Sequence, residues 1–175
     1  NNFGGFYRTE IYVHEARMAG AHIHTPCVNR SLHLTTVYGE DVYLGFIHLK
    51  SLDEALAQTI VAERERGGDY QSLEDFIGRV GPGIEALQTL VFIGALRFTG
   101  RSKNELILAG RMLLANHKPE HRSGYLFLEP VKEYTLPALE RSPYEDAYDE
   151  IELLGFPVSC SPFDLLQTRQ RGEVM

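Results

Sequence analysis

The stretch Phe92–Leu106, FIGALRFTGRSKNEL, decides how the chain is read. An apolar run breaks at Gly94, crosses a short loop and restarts as a helix whose first turn holds Arg101, Ser102 and Lys103. The amide end of a helix carries partial positive charge, so its first turn favours acids and disfavours bases. Bases at that end predict a negative partner. Ser102 followed three residues later by Glu105 is a capping box that fixes the helix start, and the helix continues through LILAGRMLLA.

Working outward, IEALQTLVFI before this loop is a strongly apolar helix ending at Gly94. The whole is a short apolar helix, a tight hairpin and a capped second helix. The same plan occurs upstream in LGFIHLK, SLD and EALAQTIVAER, where Ser51 and Glu54 form a capping box and Gly67-Gly68 a stop. Between the two units, Ser72 to Asp75 opens a short helix, LEDFIGR, which GPG at 81–83 terminates. In such a unit the hairpin and the start of the second helix present backbone N–H groups without internal partners. Those amides and the helix dipole make an anion site, and Lys50, Arg101 and Lys103 add charge to the same end. Two units side by side suit the backbones of a duplex, where contacts position but read no sequence.

Before the first unit, YRTEIYVHEARMAG has an imperfect helical stripe of Ile11, Val13, Ala16 and Met18 ending on Gly20. AHIHTPCVNRS is extended, with Pro26 forbidding helix. LHLTTVYGEDVYLGF alternates and is β-rich, which predicts a hairpin over about Leu32 to Phe46 turned at Gly39-Glu40-Asp41. After the second unit, NHKPEHRSGYLFLEPVKEYTLPAL has three prolines and no helical period, and reads as a linker or extended arm. Ser142-Pro143-Tyr144-Glu145 then heads a last helix that stops at Gly155.

The 175 residues suffice for one domain or two small ones, with ordinary hydrophobic (43%) and charged (23%) content, which excludes wholesale disorder. No apolar run approaches the roughly 20 residues of a membrane span, and the opening NNFGGFYRTEIY, without a basic head or an apolar core, is not expected to act as a signal peptide. Two distant cysteines, Cys27 and Cys160, make no disulfide framework and fit a reducing, cytoplasmic setting. The chain opens without methionine and is expected to be a fragment of something larger. Its net charge of −7 is unevenly spread. Residues 1–122 hold 13 bases and 14 acids, residues 123–175 hold 4 and 10, and Arg97 to Arg122 holds 6 against 2. A basic stretch on a near-neutral body is followed by an acidic tail.

Several motifs invite chemistry and do not support it. His22, His24 and Cys27 lack the second ligand pair of a closed zinc site. Pro119 spoils a helical face for His117 and His121. Asp69, Glu74 and Asp75, and Glu145, Asp146 and Asp149, read as solvated faces. No phosphate loop or nucleophile elbow is present. No catalytic residue and no metal ligand is assigned.

The order of segments resembles the alpha subunit of bacterial DNA polymerase III, a C-family replicative polymerase. That family's Tyr…Glu-Ala-Arg…Gly helix is matched by Tyr12, Glu15, Ala16, Arg17 and Gly20. Its Pro-Asp-Ile/Val-Asn-x-Ser stretch is matched by Pro26, Val28, Asn29 and Ser31, with Cys27 replacing the acid. GFIHLKSLDE stands against its Gly-Leu-x-x-Ile-Lys-Gly-Val-Gly-Glu, and Thr59 to Arg66, Gly68, Tyr70 and LEDFIGR follow its next pattern. LVFIGALR and LGFPVSCSP match its Leu-Ile-x-x-Gly-Ala-Phe-Asp and Leu-Gly-x-x-Ser/Thr-Gly-His-Pro. The likeness covers nearly the whole chain in order.

The resemblance implies a mainly α fragment: a tandem helix-hairpin-helix with a small β-hairpin and an extended acidic C-terminal segment. Residues 1–44 would end the fingers, 45–118 would be the DNA-binding domain, and 119–175 would lead to an OB domain. The implied DNA contacts are Lys50, Ser51, Leu52, Gly94, Ala95, Leu96, Gly100, Arg101, Ser102 and Lys103. Asn29, Arg30 and Ser31 are implied fingers contacts. The parent would be a DNA-directed DNA polymerase, a nucleotidyltransferase of chromosome replication. It would use Mg2+ held by palm aspartates that this fragment lacks, so the fragment is expected to need no cofactor and to be inactive alone. Its partners would be primer-template duplex and other holoenzyme subunits, with no membrane. Ser51 and Asp53 replace both hairpin glycines of the first unit, and Arg97 stands where the family has an acid. The second hairpin is therefore expected to dominate DNA contact, and the first to be structural. The alternative is a protein-interaction module docking through Glu129 to Glu152. A helix-hairpin-helix base-excision glycosylase ranks last, because the downstream acids sit in a Pro-rich, tail-like context.

Overall fold

The computed structural model describes residues 7–116, 144–161 and 165. Helix α1 (Thr9–Met18) leads into a small three-stranded sheet of β1 (His22–His24), β2 (Thr36–Tyr38) and β3 (Asp41–Tyr43), ordered β1-β3-β2. Strands β2 and β3 form the expected antiparallel hairpin, with Val37 opposite Val42. The sequence of strand β1 predicts only extended chain. It pairs in parallel with β3, Ile23 beside Val42.

Helices α2 (Glu54–Gly67), α3 (Leu73–Val80), α4 (Ile84–Phe92) and α5 (Lys103–Asn116) make the helical body, and α6 (Glu145–Leu154) packs on α4. Several local signals work as their chemistry requires. The Ser72 hydroxyl accepts from the Asp75 amide at 3.1 Å, and Gly81 closes α3 in the left-handed region. Helix α4 ends in a Schellman turn: Gly94 has φ +77°, and the Ala95 amide donates to the Leu90 carbonyl at 2.8 Å.

Three expectations need correction. The helix expected over LGFIHLK is a single 3-10 turn, Phe46–His48. Its amides are used elsewhere, since Phe46 and Ile47 donate to the carbonyls of Leu32 and His33 at 3.1 and 3.0 Å. Gly45 sits so close to that segment that a Cβ would lie 2.3 Å from the Leu34 carbonyl carbon. The cap of α2 is Asp53, not Ser51: Asp53 Oδ1 accepts from the Ala55 amide at 2.7 Å, while Ser51 Oγ lies 3.4 Å from Thr89 Oγ1. Nor is the acidic face of the last helix solvated throughout, because Asp146 and Asp149 form ion pairs described below. The expected linker over 117–141 and the Ser142-Pro143 start lie outside the described residues. The stop of α6 at Gly155 (φ +92°) is as expected.

One core runs through these elements. Tyr70, Phe46, Phe76, Leu44, Leu49, Ile60 and Leu90 are fully buried in it, and Val13 of α1 and Leu154, Phe156 and Val158 around the end of α6 join it. Burying such side chains is worth about 1.5–3 kcal/mol each. Tyr70 anchors the α2–α3 corner. Its ring meets Phe76 edge-on, its hydroxyl donates to the Ile60 carbonyl at 2.8 Å, and the Arg79 guanidinium lies 4.3 Å from its centroid.

Candidate nucleic-acid interface

The second hairpin is built by α4, Ile93 to Leu96, a 3-10 turn at Arg97–Thr99 and the start of α5. The amides of Gly94 and Ala95, expected to be free, are consumed by carbonyls of α4, and Ala95 and Leu96 are fully buried. Gly100, at φ +69°, donates to Arg97. The available amides lie one turn later. Ser102 and Glu105 form the expected capping box: Ser102 N donates to Glu105 Oε2 at 2.7 Å, and Glu105 N to Ser102 Oγ at 3.3 Å. This leaves the amides of Lys103 and Asn104 without an acceptor among the described residues.

The cations at this end have partners from their own chain. Lys103 Nζ lies 2.6 Å from Asp146 Oδ1 and also bonds Asp149 Oδ2, with its side chain only 15% exposed. Arg97 Nη2 is 3.1 Å from the same Asp146. Burial works to raise the Asp146 carboxyl, but the Lys103 hydrogen bond and the Arg97 charge outweigh it and hold the group below the usual carboxylate range. Burial works to lower Lys103, and its two aspartates win, raising it. Arg101 is different. It pairs with Glu74 at 3.1 Å, and both side chains are nearly half exposed, 45% and 46%.

The first hairpin presents Lys50 and Ser51 at an exposed turn above buried Leu52, whose amide donates to Leu49. Lys50 has no ion-pair partner among the described residues. The Asp53 carboxylate already occupies the amide end of α2. The Ser51–Thr89 contact sets this turn against α4, so the two hairpins share that helix as neighbour.

The residues implied as fingers contacts have internal roles. The Asn29 side chain clasps the Tyr70 backbone, donating to its carbonyl at 3.0 Å and accepting from its amide at 2.8 Å. Ser31 is fully buried and bridges the Cys27 amide and the Leu44 carbonyl. Only Arg30 is exposed, 3.4 Å from Asp69. His22 and His24 both turn to Asp41, and burial pushes the Cys27 thiol up.

Glu150 escaped the sequence reading. It is 1% exposed, and its Oε2 accepts from the Val158 and Ser159 amides at 2.6 and 2.7 Å, folding the chain after Gly155 back onto α6. The signal was available: Ala147, Glu150 and Leu154 share one helical stripe, so an acid stands in a core position. Arg17 of α1 reaches the Val158 carbonyl, tying this turn to the N-terminal helix.

Residues 20–106 match a family described as the helix-hairpin-helix motif. Against an error-prone DNA polymerase of Mycobacterium tuberculosis, identity is 37% over 122 residues, 69% of this chain and 11% of the relative. Against DNA polymerase III subunit alpha of Thermus aquaticus it is 35% over 161 residues, 86% of this chain and 13% of the relative. The Staphylococcus aureus subunit is 28% identical over 173 residues, covering 94% of this chain and 16% of the relative. The chain therefore spans a small part of the length of these relatives. With the capped hairpins of the structure, these matches make the chain a helix-hairpin-helix member of the family of bacterial DNA polymerase III alpha subunits and error-prone DNA polymerases.

Proposed function

We propose that the chain is a duplex-binding segment of a bacterial DNA polymerase, gripping phosphate backbone without reading sequence. The observation that carries this is the start of α5 in a helix-hairpin-helix segment: among the described residues two of its amides have no acceptor, and beside them Arg101 makes a solvent-exposed ion pair with Glu74. Exposed pairs are worth about 0–1 kcal/mol, so a phosphate can replace Glu74 at little cost. Lys50 on the neighbouring hairpin adds a second exposed cation. The longer protein would carry out DNA-directed nucleotidyl transfer in cytoplasmic chromosome replication with its holoenzyme partners. Any Mg2+-dependent chemistry would belong to residues outside this segment, so primer extension by the 175-residue chain should be nil.

Fluorescence anisotropy with labelled duplexes of unrelated sequence tests the reading. Affinity should be the same for each duplex and should fall steeply with salt, by roughly 0.9 log units per log unit of salt for each phosphate contacted. Binding that depends on sequence, or that ignores salt, would count against it.

A further inference from the structure

We infer that α6 is a built-in competitor for DNA phosphate: the carboxylates of Asp146 and Asp149 occupy the cations of the second hairpin, so DNA must exchange with them to reach Arg97 and Lys103. This deepens the duplex-binding reading and rests on it.

The arrangement is that of a filled anion site. Lys103 lies in the first turn of α5, whose dipole, with two amides that have no acceptor among the described residues, favours negative charge. Two carboxylates from α6 bind its ammonium, and one of them also takes Arg97. Asp146 and Asp149 stand three residues apart, a spacing that places them on one side of the helix.

The attachment of α6 does not depend on those acids. Ala147 and Leu154 are buried, Phe156 and Val158 follow them into the core, and Glu150 holds the turn through two amides. Charge can therefore be removed from the α5-facing side while α6 stays docked. Exchange should begin at Arg97, because Arg97 and Asp146 are 50% and 44% exposed, against 15% and 22% for Lys103 and Asp149. The competitor explains why a basic hairpin and an acidic C-terminal part occur in one chain: the acids keep the hairpin's affinity low until a polyanion outcompetes them.

The test is duplex anisotropy with the full chain and its Asp146→Asn and Asp146→Asn/Asp149→Asn variants at a low and a near-physiological salt concentration. Asp146→Asn keeps Lys103 paired with Asp149, so it should fold, and it should bind about eightfold more tightly near 0.1 M salt, the gain from one further phosphate contact. The double variant should gain more and steepen the salt slope by about one to two units. Adding Lys103→Met to the double variant should return part of that gain. Unchanged or weaker binding by Asp146→Asn, with native circular dichroism, overturns the inference. If Lys50→Glu and Arg101→Glu still abolish binding in that case, the duplex-binding reading stands alone. No binding by wild type or any variant overturns both.

Discussion

The side chain of Asn29 hydrogen-bonds both backbone groups of Tyr70, across forty-one positions of sequence. It works as a surrogate strand neighbour for a residue that lies in no strand, joining the segment after β1 to the α2–α3 corner. Removing it leaves a donor and an acceptor unsatisfied beside a fully buried ring. Asn29→Ala should cost about 3 kcal/mol in urea unfolding. A loss below about 0.5 kcal/mol would mean that the clasp is dispensable and that Asn29 is free for contact with a nucleotide.

Arg101 and Lys103 look equivalent in sequence and are not equivalent in the fold. Arg101→Glu breaks a half-exposed pair with Glu74, so stability should hardly change while duplex affinity drops and the salt dependence flattens by roughly one unit. Lys103→Glu sets a third acid against Asp146 and Asp149 in an enclosed site. It should cost at least about 1 kcal/mol, lowering the melting midpoint by about 2–4 °C. Equal melting curves for the two variants would contradict this division.

Asp53→Lys would give the first hairpin a cationic mouth for phosphate. The structure adds a cost, because Asp53 is the cap of α2. Asp53→Lys should lose about 1 kcal/mol of stability, as should Ser102→Ala at α5. Asp53→Asn keeps the capping oxygen while discarding the charge. It should leave the melting midpoint unchanged and tighten duplex binding, and unchanged affinity would show that the first hairpin does not approach phosphate.

What could be read in advance was local. Ser72 with Asp75, Ser102 with Glu105, and glycines 81, 94 and 155 each satisfy amides or carbonyls within one turn, so their chemistry is written in adjacent residues. What could not be read depends on distant partners. Strand β1 is only His22–His24, and it becomes a strand because β3 offers an edge. The helix expected at Phe46 shrank to one turn because Leu32 and His33 take its amides. The bases at the head of α5 did predict an anion, but spacing could not show that α6 supplies one. The pairing of Lys103 with Asp149 spans forty-six positions and joins two faces that each look solvated alone.

Tyr70 provides a probe of the same core that needs no DNA. Burial raises its phenol, the nearby Arg79 charge works against that rise, and the result is pushed up to about 12. A raised folded value means that the native state holds its proton after the unfolded chain, with a tyrosine near 10, has lost it. The contribution is therefore complete below about pH 10 and is lost as pH rises toward 12. In an ultraviolet titration of the nine tyrosines, one should ionise well after the others, or only as the helices melt. Tyr70→Phe should remove that late step and, through the lost bond to the Ile60 carbonyl, cost about 1 kcal/mol at neutral pH. The alkaline decline in stability should shrink with it. If the late step survives in Tyr70→Phe, another tyrosine carries it, and the α2–α3 corner is more open to water than its packing indicates.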